Sequence, residues 1–216
     1  MDPATGLGLI LICIGVFVGG LMDGVSPMTF FGTPASFLIV LVSALGATFF
    51  SNTMADAKVL PKLLVKALKG QKLQETGELI DQIVAFAEQA RREGLLALEE
   101  QARSIEDPFF RRGLQLAIDG ADPDTVGEVM EADVKAMSDR HKQGAKMVTS
   151  LGVYAPTFGI IGAVIGLIHT MHVLDNPAAI GEGIAGAFTA TFWGVFASNG
   201  IFLPLGNKLS VMSGLE

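Results

Sequence analysis

Residues 147–174 read MVTSLGVYAPTFGIIGAVIGLIHTMHVL, 28 positions without an Asp, Glu, Lys or Arg. A bilayer core about 30 Å thick takes roughly 20 helical residues to cross, so this run is long enough to span a membrane. Working outward, three more charge-free stretches appear: Pro3–Met22, Gly24–Ala55 and Gly183–Asn207, of 20, 32 and 25 residues. The chain has 15 Lys and Arg and 22 Asp and Glu, and 31 of these fall between Asp56 and Lys146. Half of the 216 residues are hydrophobic and 17% are charged, against about a quarter charged in an ordinary soluble domain. Composition alone leaves the class open; the segregation of charge decides it. The pattern predicts an all-α membrane protein with four transmembrane helices and a helical cytoplasmic domain between spans 2 and 3.

Several classes of function fall away. The net charge is −7 and no strongly basic tract stands out, which argues against nucleic acid as a partner. One cysteine, Cys13, sits inside an apolar run, so neither a disulfide framework nor a cysteine-based metal cluster is available. No Lys or Arg precedes the first apolar run. That run lacks the basic start of a signal peptide and is expected to stay as a helix. About 90 polar residues are left for a water-exposed domain, too few for a large separate catalytic unit. Nothing resembles a nucleophile triad, a phosphate-binding glycine loop or an HExxH helix, so an enzyme is not expected.

The first span is placed at Leu7–Met22, with Gly15 and Gly19 in a small-xxx-small spacing. Asp23–Pro27 is turn chemistry, and the second span covers about Ala35–Met54. Beyond Asp56 the chain becomes amphipathic: Lys58, Lys62, Lys66 and Lys69 recur at helical spacing with leucines between them. Asp107-Pro108 and Asp122-Pro123 each set a capping residue before a proline, a helix-start signal. No breaker follows the second of these, so one long helix is expected to run into the third span at about Val148–His172. The fourth covers about Gly183–Leu205.

Fourteen of the 15 Lys and Arg lie in the Asp56–Lys146 block, five of them from Lys58 to Lys72, and Lys208 follows the fourth span. The two opposite loops carry none, so the positive-inside rule puts the block and both termini in the cytoplasm. The expected organisation is residues 1–55 for the first two spans and a short periplasmic loop, and 56–146 for the cytoplasmic domain. Residues 147–207 hold spans three and four, and 208–216 begin a cytoplasmic C-terminal tail.

Ionisable residues inside a membrane mark ion paths, yet no Asp, Glu, Lys or Arg lies in any expected span. His169 and His172 sit one turn apart near the outer end of the third. Two imidazoles without a third ligand are weak evidence for a metal, and interfacial side chains are the simpler reading. Gly159, Gly162 and Gly166 form a ridge of small residues suited to a neighbouring helix. Pro156 and Pro204 interrupt the backbone ladder, and Thr191 and Ser198 are seven apart. These features suit a polar pathway, or equally kinks and hydroxyls bonded to their own helix. Arg91, Arg92, Glu93, Glu99 and Glu100 cluster on one stretch of helix, either as a solvated face or as an electrostatic docking surface.

Taken together, four segments resemble the MotA/PomA branch of the MotA/TolQ/ExbB proton channel family, the stator subunits of the bacterial flagellar motor. They are Arg91-Arg92-Glu93-Gly94-Leu95-Leu96-Ala97-Leu98-Glu99; Asp139-Arg140-His141; Tyr154-Ala155-Pro156-Thr157 with Gly162-Ala163-Val164-Ile165-Gly166-Leu167-Ile168; and Thr191 through Pro204-Leu205. The likeness covers nearly the whole chain.

The resemblance implies a mechanical transducer in the bacterial inner membrane that turns ion-motive force into torque. It implies that Arg91 and Glu99, helped by Arg92 and Glu100, contact the rotor protein FliG. It implies that Pro156 and Pro204 couple ion flow to movement and that Thr191 lines the ion route. At Ala163, sodium-type members carry threonine and proton-type members alanine, so protons are the expected coupling ion and sodium the less favoured one. No cofactor is implied. The missing membrane carboxylate would come from MotB, a single-span partner with an essential aspartate, in a complex of five A subunits and two B subunits set in membrane lipid. Such family members continue past the fourth span with a longer cytoplasmic tail than the residues after Lys208 supply. The competing expectation is an ExbB- or TolQ-like energiser of an envelope process. Those relatives usually carry one span before their cytoplasmic domain, where two are expected here.

Overall fold

A computed structural model describes residues 3–31, 33–70, 76–105 and 107–215, and among these described residues ten helices carry the fold. Lys72 and Glu216, which entered the reading of orientation and tail, lie outside the described residues. Among the described residues there is no strand. The helices are α1 (Pro3–Met22), α2 (Pro27–Phe31), α3 (Pro34–Phe50), α4 (Met54–Ala57), α5 (Leu60–Lys69), α6 (Thr76–Glu93), α7 (Glu99–Ser104), α8 (Pro108–Ile118), α9 (Pro123–His172) and α10 (Pro177–Gly214). They divide into two units, one of Met1–Gln71 with His141–Leu215 and another built from Lys72–Arg140.

Among the described residues three helices, α1, α9 and α10, are long and apolar enough to cross a membrane; α3 is apolar but has 17 residues. At 1.5 Å per residue it reaches about 25 Å, the short end of the range for a span. Its stop has a local cause. The chain turns at Ser51–Asn52, and the Thr53 hydroxyl caps the next helix by accepting from the Asp56 amide at 3.3 Å. The second apolar helix therefore ends four residues before the expected Met54.

In the first unit α3 buries Ser36, Val40, Ala44 and Thr48, one residue per turn. That stripe faces α10, where the Ser36 hydroxyl donates to the Gly186 carbonyl at 3.0 Å. On another side of α10 lies α1, running the opposite way: Ile12 sits by Gly200, Phe17 by Phe196 at 5.8 Å, and the Lys208 ammonium donates to the Thr5 hydroxyl. Gly24, at φ +79°, reverses the chain after α1 so that α2 delivers Phe30 and Phe31 to a nest of aromatic rings. There the Trp193 indole donates to the Phe30 carbonyl at 2.7 Å, and Phe30 stacks on Phe192 at 4.1 Å.

The second unit closes over Leu98, Ala102 and Ile118, with Phe86, Ala90 and Leu114 packed around them. Both expected helix starts are present. The Asp107 carboxylate accepts from the Phe110 amide at 2.8 Å, and Asp122 accepts from the amides of Asp124 and Thr125 at 3.1 and 3.0 Å. The Thr125 hydroxyl, followed by its amide, holds the Asp122 carboxyl below the ordinary carboxylate value of 3.8. A lowered folded-state pKa stabilises above the unfolded value and is lost as pH falls through the folded one. Asp122→Ala is thus expected to loosen the start of α9 at neutral pH. Its difference from the parent in amide-exchange protection at Asp124 and Thr125 should shrink as pH drops below 3.8. An equal difference at pH 3 and pH 7 would remove the cap from the account.

From Asp122 onward α9 is one continuous helix to His172, as the absence of a breaker predicts. The boundary between the two units falls within it, at Arg140 and His141.

Candidate functional site

The third and fourth apolar segments meet backbone to backbone. A Cβ added to Gly159 would stand 3.0 Å from the Ala190 carbonyl oxygen, 3.2 Å from Gly194 Cα and 3.4 Å from Thr191 Cα. One at Gly166 would stand 3.0 Å from both the Ala187 nitrogen and the Gly183 oxygen. One at Gly162 would meet Ala190 Cβ at 2.7 Å. From the other side, a Cβ on Gly194 would be 2.8 Å from the Ala155 oxygen and 3.1 Å from Pro156 Cα. The ladder extends both ways, with Gly152 against Leu203, Gly206 against Thr149 and Gly183 against Thr170. Residue numbers rise along α10 as they fall along α9, so the two helices are antiparallel.

The glycine ridge read from the third segment is therefore half of a joint. Its other half, Gly183, Ala187, Ala190 and Gly194, was legible as small residues at helical spacing and was not singled out. Contacts this close are favourable between helices in lipid, where association rests on packing rather than on expulsion of water.

The four membrane candidates do not gather in one place. Thr191 is half-buried and comes to the level of Gly159, with Ala163, also half-buried, one turn further along α9. Pro156 lies beside Gly194. Pro204 is exposed and lies ten residues beyond Gly194, about 15 Å along a helix.

Each proline leaves a carbonyl four residues earlier without its usual donor. For Pro156 that carbonyl belongs to Gly152, and α9 remains helical through it. For Pro204 it belongs to Gly200, inside a turn of π-helix at Ala197–Phe202. The wider winding takes the proline ring without breaking the helix. A matching π turn occupies Ile14–Val18 in α1.

Of the two readings left open for Thr191, the intrahelical bond is present: its hydroxyl donates to the Ala187 carbonyl at 3.2 Å. The oxygen keeps acceptor capacity, and Thr191 is the polar side chain in an open surface depression of about 310 Å³ otherwise lined by Val16, Phe188, Phe192, Val195 and Phe196. Ser198 is buried and does not join Thr191 on an open face. His169 and His172 are exposed, and among the described residues no group of three His, Cys, Asp or Glu is placed to hold a metal.

In the other unit the charged candidates do not share one helix. Gly94 stands at φ +87°, ψ 160°, a conformation only glycine takes cheaply, and it ends α6. A 3₁₀ turn, Leu95–Leu98, follows, anchored by Leu98 at 1% exposure. Arg91 and Arg92 thus occupy the last turn of α6, and Glu99 and Glu100 the first turn of α7. Each of these four charges sits at the helix end whose dipole favours it, whereas Glu93, the last residue of α6, does not.

Arg92 pairs with Glu88 at 3.0 Å and Glu99 with Arg103 at 2.8 Å. Both pairs are solvent-exposed, so each contributes about 0.3–0.5 kcal/mol and yields easily to a partner's charge. Glu88 and Arg103 were not singled out from sequence, although their i, i+4 spacing gives them away. Among the described residues Arg91 and Glu100 have no ion-pair partner.

Comparison with known proteins agrees with this architecture along its length. The profile of the MotA/TolQ/ExbB proton channel family matches residues 101–215, and that of the motility protein A N-terminal region matches residues 6–94. Motility protein A of Bacillus subtilis is 37% identical over 216 residues, all of this chain and 80% of that protein. The structure of C. jejuni MotAB superposes with a TM-score of 0.90 at 36% identity, covering 99% of this chain and 83% of that one. The flagellar MotAB stator complex from Bacillus subtilis gives 0.87 at 37%, covering 97% and 82%.

Proposed function

The chain belongs to the MotA/TolQ/ExbB proton channel family, and from that premise we propose that it is a stator subunit of the bacterial flagellar motor. The observation that carries this is likeness over the full length, in sequence to motility proteins and in fold to stator complexes. The match of residues 6–94 to the motility protein A N-terminal region favours the motor over an envelope energiser. The family acts as a stator and channel component rather than as an enzyme.

In this reading the chain crosses the inner membrane four times, with both termini in the cytoplasm, as the distribution of Lys and Arg supports. It assembles as a pentamer around two copies of MotB. The charge-free runs of these helices carry no carboxylate of their own, so MotB brings the aspartate that accepts the proton. A charge moved through 100 mV releases about 2.3 kcal/mol. Thr191 and Ala163, at neighbouring levels of the α9–α10 joint, line the route that the aspartate uses. Pro156 and Pro204 bend the two helices as its charge changes. The ring turns and pushes FliG through Arg91, Arg92, Glu99 and Glu100.

Deleting the gene tests the function as a whole. The expected cell has filaments by electron microscopy, does not swim, and regains rotation when the intact gene returns. Absent filaments, or motionless filaments that the gene does not rescue, would overturn the reading. Ala163→Thr tests the route: a hydroxyl beside a desolvating cation should alter the ratio of proton-driven to sodium-driven swimming. Unchanged speed in buffers with and without sodium would take Ala163 out of the path.

A further inference from the structure

The chain from the end of α3 to the first turn of α5 begins and ends at one level of α9. At its start, the Gln143 amide of α9 donates to the Asn52 side-chain oxygen at 3.4 Å. Near its end, a Cβ on Gly144 would stand 3.0 Å from Leu63 Cδ1. Both ends therefore meet α9 at adjacent residues, three or four before the charge-free run that begins at Met147. That offset is a rise of about 5 Å, which sets the segment at the rim of the apolar helices.

Its inner face is committed, with Ala57, Leu60 and Ala67 buried. The outer face alternates two chemistries. Lys58, Lys62 and Lys69 are exposed, and in the same segment so are Phe50 at 96%, Met54 at 70%, Val59 and Val65. One acidic group, Asp56, lies in the segment, and its carboxylate already accepts from the Thr53 hydroxyl at 2.7 Å. Large apolar side chains this bare are unfavourable in water. At a bilayer surface they enter the acyl boundary while ammonium groups reach the phosphates. An acidic protein partner would use the lysines and leave Phe50 and Met54 unexplained.

We propose that the Phe50–Val65 surface is a binding site for anionic phospholipid, with Lys58 and Lys62 on the headgroup and Phe50 and Met54 among the acyl chains. The site rests on the membrane placement of α3 and not on torque generation, so its failure and that of the motor reading are separable. The complex of this chain with its single-span partner is reconstituted in phosphatidylcholine vesicles. Spin-labelled phosphatidylglycerol or spin-labelled phosphatidylcholine is added, and the motionally restricted fraction is read by electron paramagnetic resonance.

Phosphatidylglycerol should be preferred about fivefold or more, since each lysine near the surface is worth roughly that factor, and the preference should fall with salt. K58Q/K62Q should lower the ratio at least about threefold on the same scale, while K58R/K62R keeps it. Equal partition of the two lipids would overturn the site. So would an unchanged ratio in K58Q/K62Q, or an equal loss in K142Q/K146Q, which removes the same charge from α9.

Discussion

Gly194→Val is expected to cost at least about 3 kcal/mol, at or above the usual range for overpacking, and to leave little folded protein after mild heating in detergent. The added carbons have nowhere to go. Cβ alone would stand 2.8 Å from the Ala155 oxygen, 3.0 Å from Gly159 Cα and 3.1 Å from Pro156 Cα. Each of these is backbone or ring, and none can swing aside as the tip of a side chain can. Separating α9 from α10 to make room would also open the contacts of Gly159, Gly166 and Gly183 at once. Gly186 provides the control on the same helix, since a Cβ there meets nothing within 4 Å; Gly186→Ala should match the parent. Size-exclusion traces after a temperature series decide the matter, and a Gly194→Val protein as heat-resistant as Gly186→Ala would contradict the backbone contact.

Reversing Arg91 to Glu should bring torque below about a tenth of the parent value, because like charges brought together across an interface cost several kcal/mol. Glu99→Arg should do the same. Neither change threatens the fold. Arg91 is exposed at a helix end without an ion-pair partner among the described residues, and the dipole term it forfeits is about 0.3–1 kcal/mol. Glu99 gives up its exposed pair with Arg103, worth a few tenths of a kcal/mol. Bead-rotation assays read the torque, and the amount of membrane-inserted protein checks assembly. Normal rotation by both reversals would end the docking role of this patch; normal rotation by one would confine it to the other charge.

Much of this is legible in the sequence. The charge-free run at 147–174 and the unbroken stretch before it identify α9, and Asp107-Pro108 and Asp122-Pro123 mark where two helices begin. These signals are local, since a cap or a charge acts within one turn of its own backbone. What stayed hidden depends on partners distant in sequence. The ridge at Gly159, Gly162 and Gly166 says that something approaches closely but not which helix, and Gly194 acquires its meaning only when α10 is laid against it. Sequence spacing alone places Gly94 inside one charged helix, because a glycine's φ is unconstrained by its neighbours; burial of Leu98 and the turn before it fix it positive. The early end of α3 follows from a Thr53–Asp56 cap that competes with continuation of the helix. The π turns have no sequence period at all.

The π turn at Ala197–Phe202 stores one surplus residue in α10, a defect comparable to a dislocation in a crystal. Such a defect glides when successive carbonyls exchange one amide donor for the next, and each exchange is cheap because no more than one bond is open at a time. Pro204, two residues past the π turn, has no amide to offer, so the surplus residue cannot be handed on toward the C-terminal end of α10 by exchange of that bond, whereas every residue on the N-terminal side of the turn back to Ala178 keeps its amide.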